Sequence, residues 1–438
     1  MFQNNCAKVS NINSKNNHIA GEITIPGDKS ISHRSIMLGA IAEGDTRIKG
    51  FLKSADCLAT LDCFRRLGVE IEEDPGEIVI HGVGLHGLKR PETVLDVKNS
   101  GTSIRLLSGI LCGSGVDCEI TGDASIRKRP MGRIIKPLRL MGADIRSRDE
   151  NDCAPLLIRG GELHGIDYES QVASAQVKSC VLFAGLYADS DTRFTEPEIS
   201  RDHTERMLKS FGADIRVDKN VVELSPGGVL KGREIDVPGD ISSAAYFIAA
   251  ALIVPGSELV VKNVGINPTR AGMLEVAKNM GADITYANER TVSGEPVADI
   301  IVKYSRLHGV DISGKIIPTL IDEIPILAVL AAYAEGETRI ADARELKVKE
   351  SDRILSVCEN LSAMGADATP TDDGMIIRGA RPLKDAVIKC YHDHRIAMSF
   401  YVAGLNTPGT MLFDDARCVD ISYPEFFSDM SSVFVNGK

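Results

Sequence analysis

Tryptophan is absent from this chain of 438 residues, and all aromatic residues together make up 5% of it. So few aromatic rings disfavour a surface that stacks nucleic-acid bases. The net charge of −11 also lacks the basic excess of a general nucleic-acid binder. No apolar run approaches 18 residues, so we expect no membrane-spanning helix. A small anionic ligand remains compatible with this composition, because a cleft can be locally basic in an acidic protein.

Cysteine is present but forms no recognisable site. The ten cysteines include no Cys-x-x-Cys pair and no cluster with histidine at the spacing of metal ligands. The N-terminal residues show neither an apolar stretch nor an arginine-rich amphipathic pattern, so no targeting segment is apparent. We therefore expect reduced thiols in the core and a cytoplasmic location.

A repeated helix ending is the most informative feature that the chain does have. Five helical segments end on a glycine that follows apolar residues one and four positions earlier; these are Gly68, Gly142, Gly212, Gly281 and Gly365. Their separation of about 70 to 85 residues exceeds the period of solenoid repeats, so each copy is predicted to be a compact unit of several elements. The glycine predicts the left-handed residue that ends a helix.

A second, more apolar helix recurs in each unit and precedes a short strand. Its copies lie at 30–44, 105–115, 180–190, 246–256, 326–336 and 398–409. The sixth unit lacks the second helix ending, and we expect the segment HIAGEITIPG near the N-terminus to supply its missing strand. The chain would then start in one domain, build three units of the other, and return. Pro-Gly-Asp tripeptides at 26–28 and 238–240 mark the crossings, which predicts domains of 27–240 and of 1–26 with 241–438.

Cations collect where these helices begin. Lys29, Arg34, Arg105 and Arg395 lie at the starts of apolar helices, and Arg353 lies at the start of another. The serines and aspartates at the same places are typical N-caps. A cation beside the positive end of a helix is unfavourable unless an anion lies between them. The pattern predicts a ligand with at least two anionic groups; the candidate acids and bases are Asp322, Glu350, Asp56, Asp393 and His394.

Eight segments, taken in order, resemble one enzyme family over essentially the whole chain. They are PGDKSISHR (26–34), NSGTSIRLL (99–107), GDASIRKRPMGR (122–133), SAQVKS (174–179), RDHTERML (201–208), LIDEIPILAV (320–329), VKESDRI (348–354) and YHDHRIAM (391–398). The family is that of the 5-enolpyruvylshikimate-3-phosphate synthases, or 3-phosphoshikimate 1-carboxyvinyltransferases. The variants KRPMGR, RDHTE and IDEIP are similar to its second, bacterial class.

The resemblance implies a two-domain inverse α/β barrel. Each domain would hold three of six βαβαββ units about a pseudo-threefold axis, with the active site in the interdomain cleft. The implied reaction belongs to the shikimate pathway, which leads to chorismate and the aromatic amino acids. The 5-hydroxyl of shikimate 3-phosphate attacks C2 of phosphoenolpyruvate, and phosphate leaves from a tetrahedral intermediate. The family implies small-molecule substrates, no metal and no organic cofactor. We expect a monomer, because the repeats already pair inside one chain.

Site roles follow from the same resemblance. Shikimate 3-phosphate would contact Lys29, Ser30, Arg34, Ser174, Ala175, Gln176, Arg201, Asp322 and Lys349. Phosphoenolpyruvate would contact Lys29, Gly101, Arg129, Gln176, Arg353 and Arg395. Lys29, Asp322, Lys349 and Glu350 are the implied catalytic residues. Asp322 would deprotonate the 5-hydroxyl, while Glu350 and Lys349 would handle the proton at the methylene carbon.

The chain departs from relatives at several positions. Position 175 is alanine where many relatives have serine, so only its backbone can contribute there. Leu106 replaces a proline of the first class, and Ile421 aligns with a lysine that some relatives place over phosphoenolpyruvate, although Arg417 is close by. Gly101 leaves space in the phosphoenolpyruvate pocket, so we expect the phosphoenolpyruvate mimic glyphosate to enter and Gly101→Ala to weaken it.

Two alternatives keep the anion-binding pattern but change the function. The enolpyruvyl transferase that acts on UDP-N-acetylglucosamine would show Lys-Asn in place of Lys29-Ser30, and a reactive cysteine shortly before Arg129-Pro130. A non-catalytic anion-binding repeat protein would have no need of both Asp322 and Glu350. Both alternatives therefore fit this sequence less well than the first family.

Overall fold

The computed structural model describes residues 7–10 and 17–435. They divide into two compact domains. The first domain comprises Gly27–Val237 together with Thr291–Glu295, and the second comprises the remaining described residues. The chain passes from one domain to the other after Pro26 and after Val237.

The helices follow the predicted alternation of two helices per unit. They are α1 (Lys29–Ile41), α2 (Ala55–Arg66), α3 (Gly101–Gly113), α4 (Gly132–Leu140), α5 (Ala175–Gly185), α6 (His203–Phe211), α7 (Ile241–Ile253), α8 (Gly272–Asn279), α9 (Ile317–Leu320), α10 (Ile324–Tyr333), α11 (Arg353–Ala363), α12 (His394–Gly404) and α13 (Phe426–Ser432). Short 3-10 helices cover Ile126–Lys128, Gly314–Ile316, Arg344–Val348 and Ala416–Ile421.

The strands are short, and most lie between the helices of a unit. They are β1 (Ala7–Ser10), β2 (His18–Thr24), β3 (Glu43–Lys49), β4 (Glu70–Asp74), β5 (Glu77–Val83), β6 (Leu95–Asp96), β7 (Cys118–Thr121), β8 (Asp144–Ser147), β9 (Leu156–Arg159), β10 (Asp167–Glu169), β11 (Thr192–Thr195), β12 (Asp214–Asp218), β13 (Val221–Ser225), β14 (Glu234–Asp236), β15 (Glu258–Gly265), β16 (Asp283–Val292), β17 (Glu295–Lys303), β18 (Asp311–Ile312), β19 (Glu337–Ile340), β20 (Asp367–Pro370), β21 (Met375–Arg378), β22 (Val387–Ile388), β23 (Thr410–Phe413) and β24 (Phe434–Val435).

Each unit builds its own sheet on one pattern. In the second unit, β6 runs parallel to β7, β7 pairs antiparallel with β9, and β9 pairs antiparallel with β8. With α3 and α4 between the first three strands, this is a βαβαββ unit, as predicted. The first domain has the sheets β14-β3-β5-β4, β6-β7-β9-β8 and β10-β11-β13-β12; the second has β16-β17-β15-β2-β24, β18-β19-β21-β20 and β1-β23-β22.

The two domain crossings exchange leading strands. Strand β2 runs on into α1 along the chain, yet it pairs in parallel with β15 of the fourth unit. Strand β14 likewise precedes α7, yet it pairs in parallel with β3 of the first unit. At each crossing, the strand before it thus belongs to the sheet of one domain, and the helix after it belongs to the other domain.

This exchange corrects the prediction for the sixth unit. HIAGEITIPG does not supply its missing strand, because His18–Thr24 completes the fourth sheet instead. The sixth sheet receives β1, whose backbone pairs antiparallel with β23. The prediction failed because both segments precede the first crossing, and only the pairing register distinguishes them.

Each domain has its own apolar core around the helices that the sequence marked as apolar. In the second domain α7, α10 and α12 pack against one another, and all thirteen residues of α7 are buried. In the first domain α3 packs against both α1 and α5. No single helix of the described chain is long and apolar enough to cross a membrane; the pair 314–320 and 324–333 passes only on combined length and composition, with a 110° bend.

The predicted helix endings are confirmed. The five glycines have φ values of +85°, +91°, +101°, +94° and +88°, in the left-handed region where a side chain would be strained. The repeated glycine therefore has a conformational role: it allows the second helix of each unit to end and the chain to turn back toward the sheet.

Candidate active site

The start of α1 carries the first group of predicted site residues. Asp28 caps the helix, because its carboxylate accepts a hydrogen bond from the backbone N–H of Ile31 at 2.9 Å. Lys29 is the first helical residue, and its Nζ lies 3.0 Å from the Asp56 carboxylate. Asp56 is thus an ion-pair partner of Lys29, which is a different use from the acid–base role that the sequence left open.

Arg34 lies one turn further along α1 and is 3% exposed. Its guanidinium donates to the Thr204 hydroxyl at 2.6 Å, to the Ser179 hydroxyl at 2.8 Å and to the carbonyl of Ser30 at 3.0 Å. Within the described chain none of these hydrogen-bond acceptors is a carboxylate. Burial lowers the pKa of Arg34 to about 10, only partly offset by the more distant carboxylate of Glu205. The hydrogen bonds of this buried cation therefore go to neutral acceptors.

Lys178 shows the opposite arrangement in the same domain. This lysine of α5 is 1% exposed, and its Nζ lies 2.7 Å from the carboxylates of both Glu196 and Glu205. Burial would lower the pKa of Lys178, but Glu205 and then Glu196 outweigh it and leave the pKa raised. Lys178 therefore ties α5 to α6 rather than facing a ligand.

The role of Lys178 was not predicted from the sequence. A lysine between Val177 and Ser179, inside a helix that is otherwise apolar, was the available signal, because a buried charge requires a partner. The position of its partners in other elements gave no comparable signal.

Gly101, Arg129 and Gln176 come together near the start of α3. Arg105, one turn into this helix, donates to the Gln176 side-chain oxygen at 2.9 Å and to the Gly101 carbonyl at 3.2 Å. A Cβ on Gly101 would lie 2.8 Å from a guanidinium nitrogen of Arg105 and 3.1 Å from one of Arg129. Two guanidinium groups thus converge over a glycine that leaves them room.

The remaining predicted residues of the first domain flank α5 and α6. Ser174 is at the N-cap position of α5, but its side chain makes no capping hydrogen bond. Ala175 and Gln176 form the first turn of that helix. Arg201 lies just before α6, whose N-cap position is Asp202. Backbone N–H groups at these helix starts are suited to phosphate oxygens.

In the second domain, Arg353 is the centre of an ion-pair cluster. It is 1% exposed, and its guanidinium lies 2.8 Å from Asp393, 2.6 Å from Glu350 and 3.4 Å from Asp322. The Nζ of Lys349 lies 3.5 Å from the same Asp322 oxygen. Arg353 thus contacts both Asp322 and Glu350, and Lys349 contacts Asp322, although Asp322 and Glu350 are 28 positions apart in the sequence.

Asp393 is fully occupied by structural partners. It caps α12 through the backbone N–H of Arg395 at 2.9 Å, and it accepts from Ser351 at 3.0 Å as well as from Arg353. Burial would raise the pKa of Asp393, but Arg353 outweighs it and holds the pKa below its ordinary value. Of the acids that the sequence left open, Asp393 is thus the least suited to move a proton.

Arg395 follows this cap and reaches the same cluster. Its Nη1 donates to the Asp322 carbonyl at 3.0 Å and lies 3.5 Å from the Glu323 carboxylate. Burial would lower the pKa of Arg395, but Asp322 is the first of several groups that keep it raised. Ile421 is half-buried at the edge of the apolar core of this domain, so its side chain serves packing.

The geometry defines an α/β protein in which buried guanidinium groups, a lysine and several carboxylates lie together, as in enzymes that act on small anions. Its fold is that of the enolpyruvyl transferases. A transferase of this kind, NikO from Streptomyces tendae, covers 98% of this chain with a TM-score of 0.79 at 16% identity, which establishes the fold alone.

Sequence identity narrows the class to one family. The family model for EPSP synthase (3-phosphoshikimate 1-carboxyvinyltransferase) matches residues 13–430. A 3-phosphoshikimate 1-carboxyvinyltransferase of Brevibacillus brevis is 54% identical over 93% of this chain and 96% of its own length, and one of Geobacter sulfurreducens is 52% identical over 95% and 97%. The EPSP synthase of Acinetobacter baumannii is 50% identical with a TM-score of 0.87, over 96% of this chain and 98% of that one.

The chain therefore belongs to the EPSP synthase family. It is an enzyme that transfers an enolpyruvyl group to shikimate 3-phosphate in aromatic amino acid biosynthesis, and the prediction of family, fold class and reaction is confirmed. The alternative acceptor, UDP-N-acetylglucosamine, is not favoured by these relatives.

Proposed function

We propose that Asp322 is the base that takes the proton of the 5-hydroxyl of shikimate 3-phosphate. The oxygen then attacks C2 of phosphoenolpyruvate while C3 gains a proton, and the loss of phosphate and of a C3 proton gives the enol ether. The observation that carries this proposal is the cluster of Asp322, Lys349, Glu350 and Arg353, in which Asp322 contacts two cations. These contacts hold the carboxylate in a fixed position, which a general base requires.

Glu350 and Lys349 are suited to the proton at C3. Both lie in the short segment just before α11, and Glu350 is held at 2.6 Å by Arg353. An acid and a base on one small cluster meet the requirement of the reaction, because C3 is protonated in the first step and deprotonated in the second. Proton transfer by positioned groups contributes about 10² to 10⁴ in rate.

Phosphoenolpyruvate is the ligand we assign to the convergent guanidinium groups. Its carboxylate and phosphate suit bidentate arginines. The set consists of Lys29, Gly101, Arg129, Gln176, Arg353 and Arg395. Arg353 and Arg395 belong to the second domain, and the other members belong to the first.

Shikimate 3-phosphate is the ligand we assign to the helix starts of the first domain. The set consists of Lys29, Ser30, Arg34, Ser174, Ala175, Gln176 and Arg201, with Asp322 and Lys349 from the second domain at the reacting hydroxyl. Among the described residues, the buried Arg34 guanidinium donates to two hydroxyl groups and a carbonyl, which supports this assignment because a bound anion would pair with its charge.

Arg34→Met tests this assignment. We expect KM for shikimate 3-phosphate to rise about 10- to 100-fold, the value of a lost charged hydrogen bond. We expect the melting temperature to be unchanged or higher, because the variant removes a buried charge that lacks a carboxylate partner. Initial rates of phosphate release and thermal denaturation provide both measurements.

Lys178→Met is the matched control for Arg34→Met. It removes a cation of similar burial, but it leaves Glu196 and Glu205 without their partner, so we expect a stability loss of about 3–5 kcal/mol. If both variants destabilise the protein equally and KM for shikimate 3-phosphate stays unchanged in Arg34→Met, Arg34 is a structural residue and the assignment is wrong.

Gly101→Ala tests the phosphoenolpyruvate set. The added methyl group meets only the ends of two flexible arginines, so the fold should survive, but Arg105 and Arg129 must shift. We expect the inhibition constant of glyphosate to rise about 10-fold or more, with a smaller rise in KM for phosphoenolpyruvate. Inhibition kinetics with varied phosphoenolpyruvate measure both constants. If the inhibition constant of glyphosate is unchanged, Gly101 does not belong to the phosphoenolpyruvate set.

We also propose that the enzyme acts as a cytoplasmic monomer without a cofactor. The presence of a separate apolar core in each domain supports the monomer, since each is buried without help from a second chain. The cysteines that the structure describes are all unpaired, which fits a reducing compartment.

A further inference from the structure

Glu323 is a buried carboxylate that directly follows the proposed base, Asp322, in the sequence. It is 1% exposed and occupies the N-cap position of α10 without making a capping hydrogen bond. Its carboxylate instead faces side chains of other elements in the second domain. A buried carboxylate that does not serve its own helix must be held for the groups that it faces.

Three side chains converge on Glu323. Its Oε1 accepts a hydrogen bond from the Ser242 hydroxyl and lies 3.5 Å from Nη1 of Arg395, while its Oε2 lies 3.5 Å from Nη1 of Arg270. Arg270 also donates to the Ser242 hydroxyl at 2.5 Å and lies 3.8 Å from Asp240. Glu323 therefore links Arg395 to a buried network that starts at α7.

The Arg395 guanidinium is held on one side by two consecutive residues. Its Nη1 contacts the main-chain carbonyl of Asp322 and the side chain of Glu323. The Asp322 carboxylate forms ion pairs with Lys349 and Arg353, and its charge also acts on Arg395. One short segment thus carries the proposed base and contacts the Arg395 guanidinium through a carbonyl and a second carboxylate.

We propose that Glu323 is a positioning residue for phosphoenolpyruvate: it fixes the orientation of the Arg395 guanidinium without touching either substrate. The proposal rests on the assignment of Arg395 to phosphoenolpyruvate. Arg270 and Ser242 hold the Glu323 carboxylate in place, so the orientation of Arg395 is set by the framework of the domain. A guanidinium oriented before the ligand arrives loses less entropy on binding.

A purely electrostatic role and a positioning role of Glu323 predict opposite changes in KM for phosphoenolpyruvate when the carboxylate is removed. Removing a negative charge close to Arg395 would strengthen the binding of an anion if charge alone mattered, and KM for phosphoenolpyruvate would fall. If Glu323 orients Arg395, the same change weakens the binding and KM rises. The sign of the change in KM therefore separates the two roles.

Glu323→Gln provides the test. An amide keeps the shape of the side chain, but its NH2 group turns a donor toward Arg270 or Arg395. We expect KM for phosphoenolpyruvate to rise about 10- to 100-fold, with KM for shikimate 3-phosphate within about twofold of wild type. Glu323→Asp keeps the charge at a shorter reach, and we expect a smaller rise in the same constant.

Asp299→Asn is the matched control. Asp299 is a buried carboxylate of the same domain that accepts from the backbone of Asn263 and the side chain of Asn288, both at 2.8 Å. We expect it to leave both KM values unchanged. A fall or no change in KM for phosphoenolpyruvate in Glu323→Gln, or an equal rise for both substrates, would overturn the positioning role.

Arg395→Lys tests separately the assignment of Arg395 to phosphoenolpyruvate, on which the role of Glu323 depends. If Arg395→Lys leaves KM for phosphoenolpyruvate unchanged, the proposed role of Arg395 is wrong and the inference falls with it. If Arg395→Lys raises that constant while Glu323→Gln does not, Arg395 binds phosphoenolpyruvate and only the inference about Glu323 is wrong.

Discussion

Asp322→Asn is expected to lower kcat by about 10² to 10⁴-fold, the contribution of a positioned general base. The amide keeps the size of the side chain but cannot accept the proton of the 5-hydroxyl. Arg353 keeps its contacts with Asp393 and Glu350, so the cluster should hold its shape and both KM values should change by only a few-fold. Phosphate release under saturating substrates measures the effect.

Asp311→Asn is a suitable control for this variant. Asp311 is an exposed aspartate of the same domain, on β18, where the same chemical change should leave kcat unaffected. If Asp322→Asn lowers kcat by less than about tenfold, the base is another group. In that case Glu350 would be the next residue to test, because it lies in the same cluster.

Arg353→Met is expected to destabilise the protein and to abolish activity together. The substitution leaves Asp393, which is 0% exposed, without its ion-pair partner. Removing one partner of a buried pair costs about 3–5 kcal/mol of unfolding free energy, because the remaining charge stays buried. It also releases Glu350 and takes a guanidinium from the phosphoenolpyruvate set. Chemical denaturation followed by a rate measurement at a temperature where the variant is folded gives both values.

The double variant Arg353→Met, Asp393→Asn separates stability from function. Asparagine is also a good N-cap, so α12 keeps its capping hydrogen bond while both charges are removed. We expect most of the lost stability to return and activity to stay absent. Recovery of activity together with stability would mean that Arg353 only supports the fold.

The repeats explain why so much of the fold was predictable. Apolar residues one and four positions before a glycine fix a helix face and its end using neighbours in sequence alone, and all five of these glycines have the expected φ. The strand exchange was not predictable in the same way. Both β1 and β2 are short segments before the first crossing, and their assignment depends on register with β23 and β15, which are far away in sequence.

The candidate site was also only partly predictable from the sequence. Cations at helix starts are visible in the sequence because an unfavourable charge stands out against a local rule. The partners of those cations are not visible, because they come from other elements. Asp56 and Asp393 looked like free acids until the structure placed Lys29 and Arg353 beside them, and Lys178 looked like part of an apolar helix until two glutamates met it.

The amino-acid sequence by itself determined the repeating unit, the helix ends, the family and the residue types that collect at the helix starts. These depend on spacing within one element or on similarity along the chain. Only the tertiary structure decided which charges neutralise each other. It decided that Arg34 donates to hydroxyl groups while Lys178 pairs with two glutamates, and that Glu323 faces Arg395. Charge pairing acts over a few ångströms in space, so it is fixed only when distant segments have packed together.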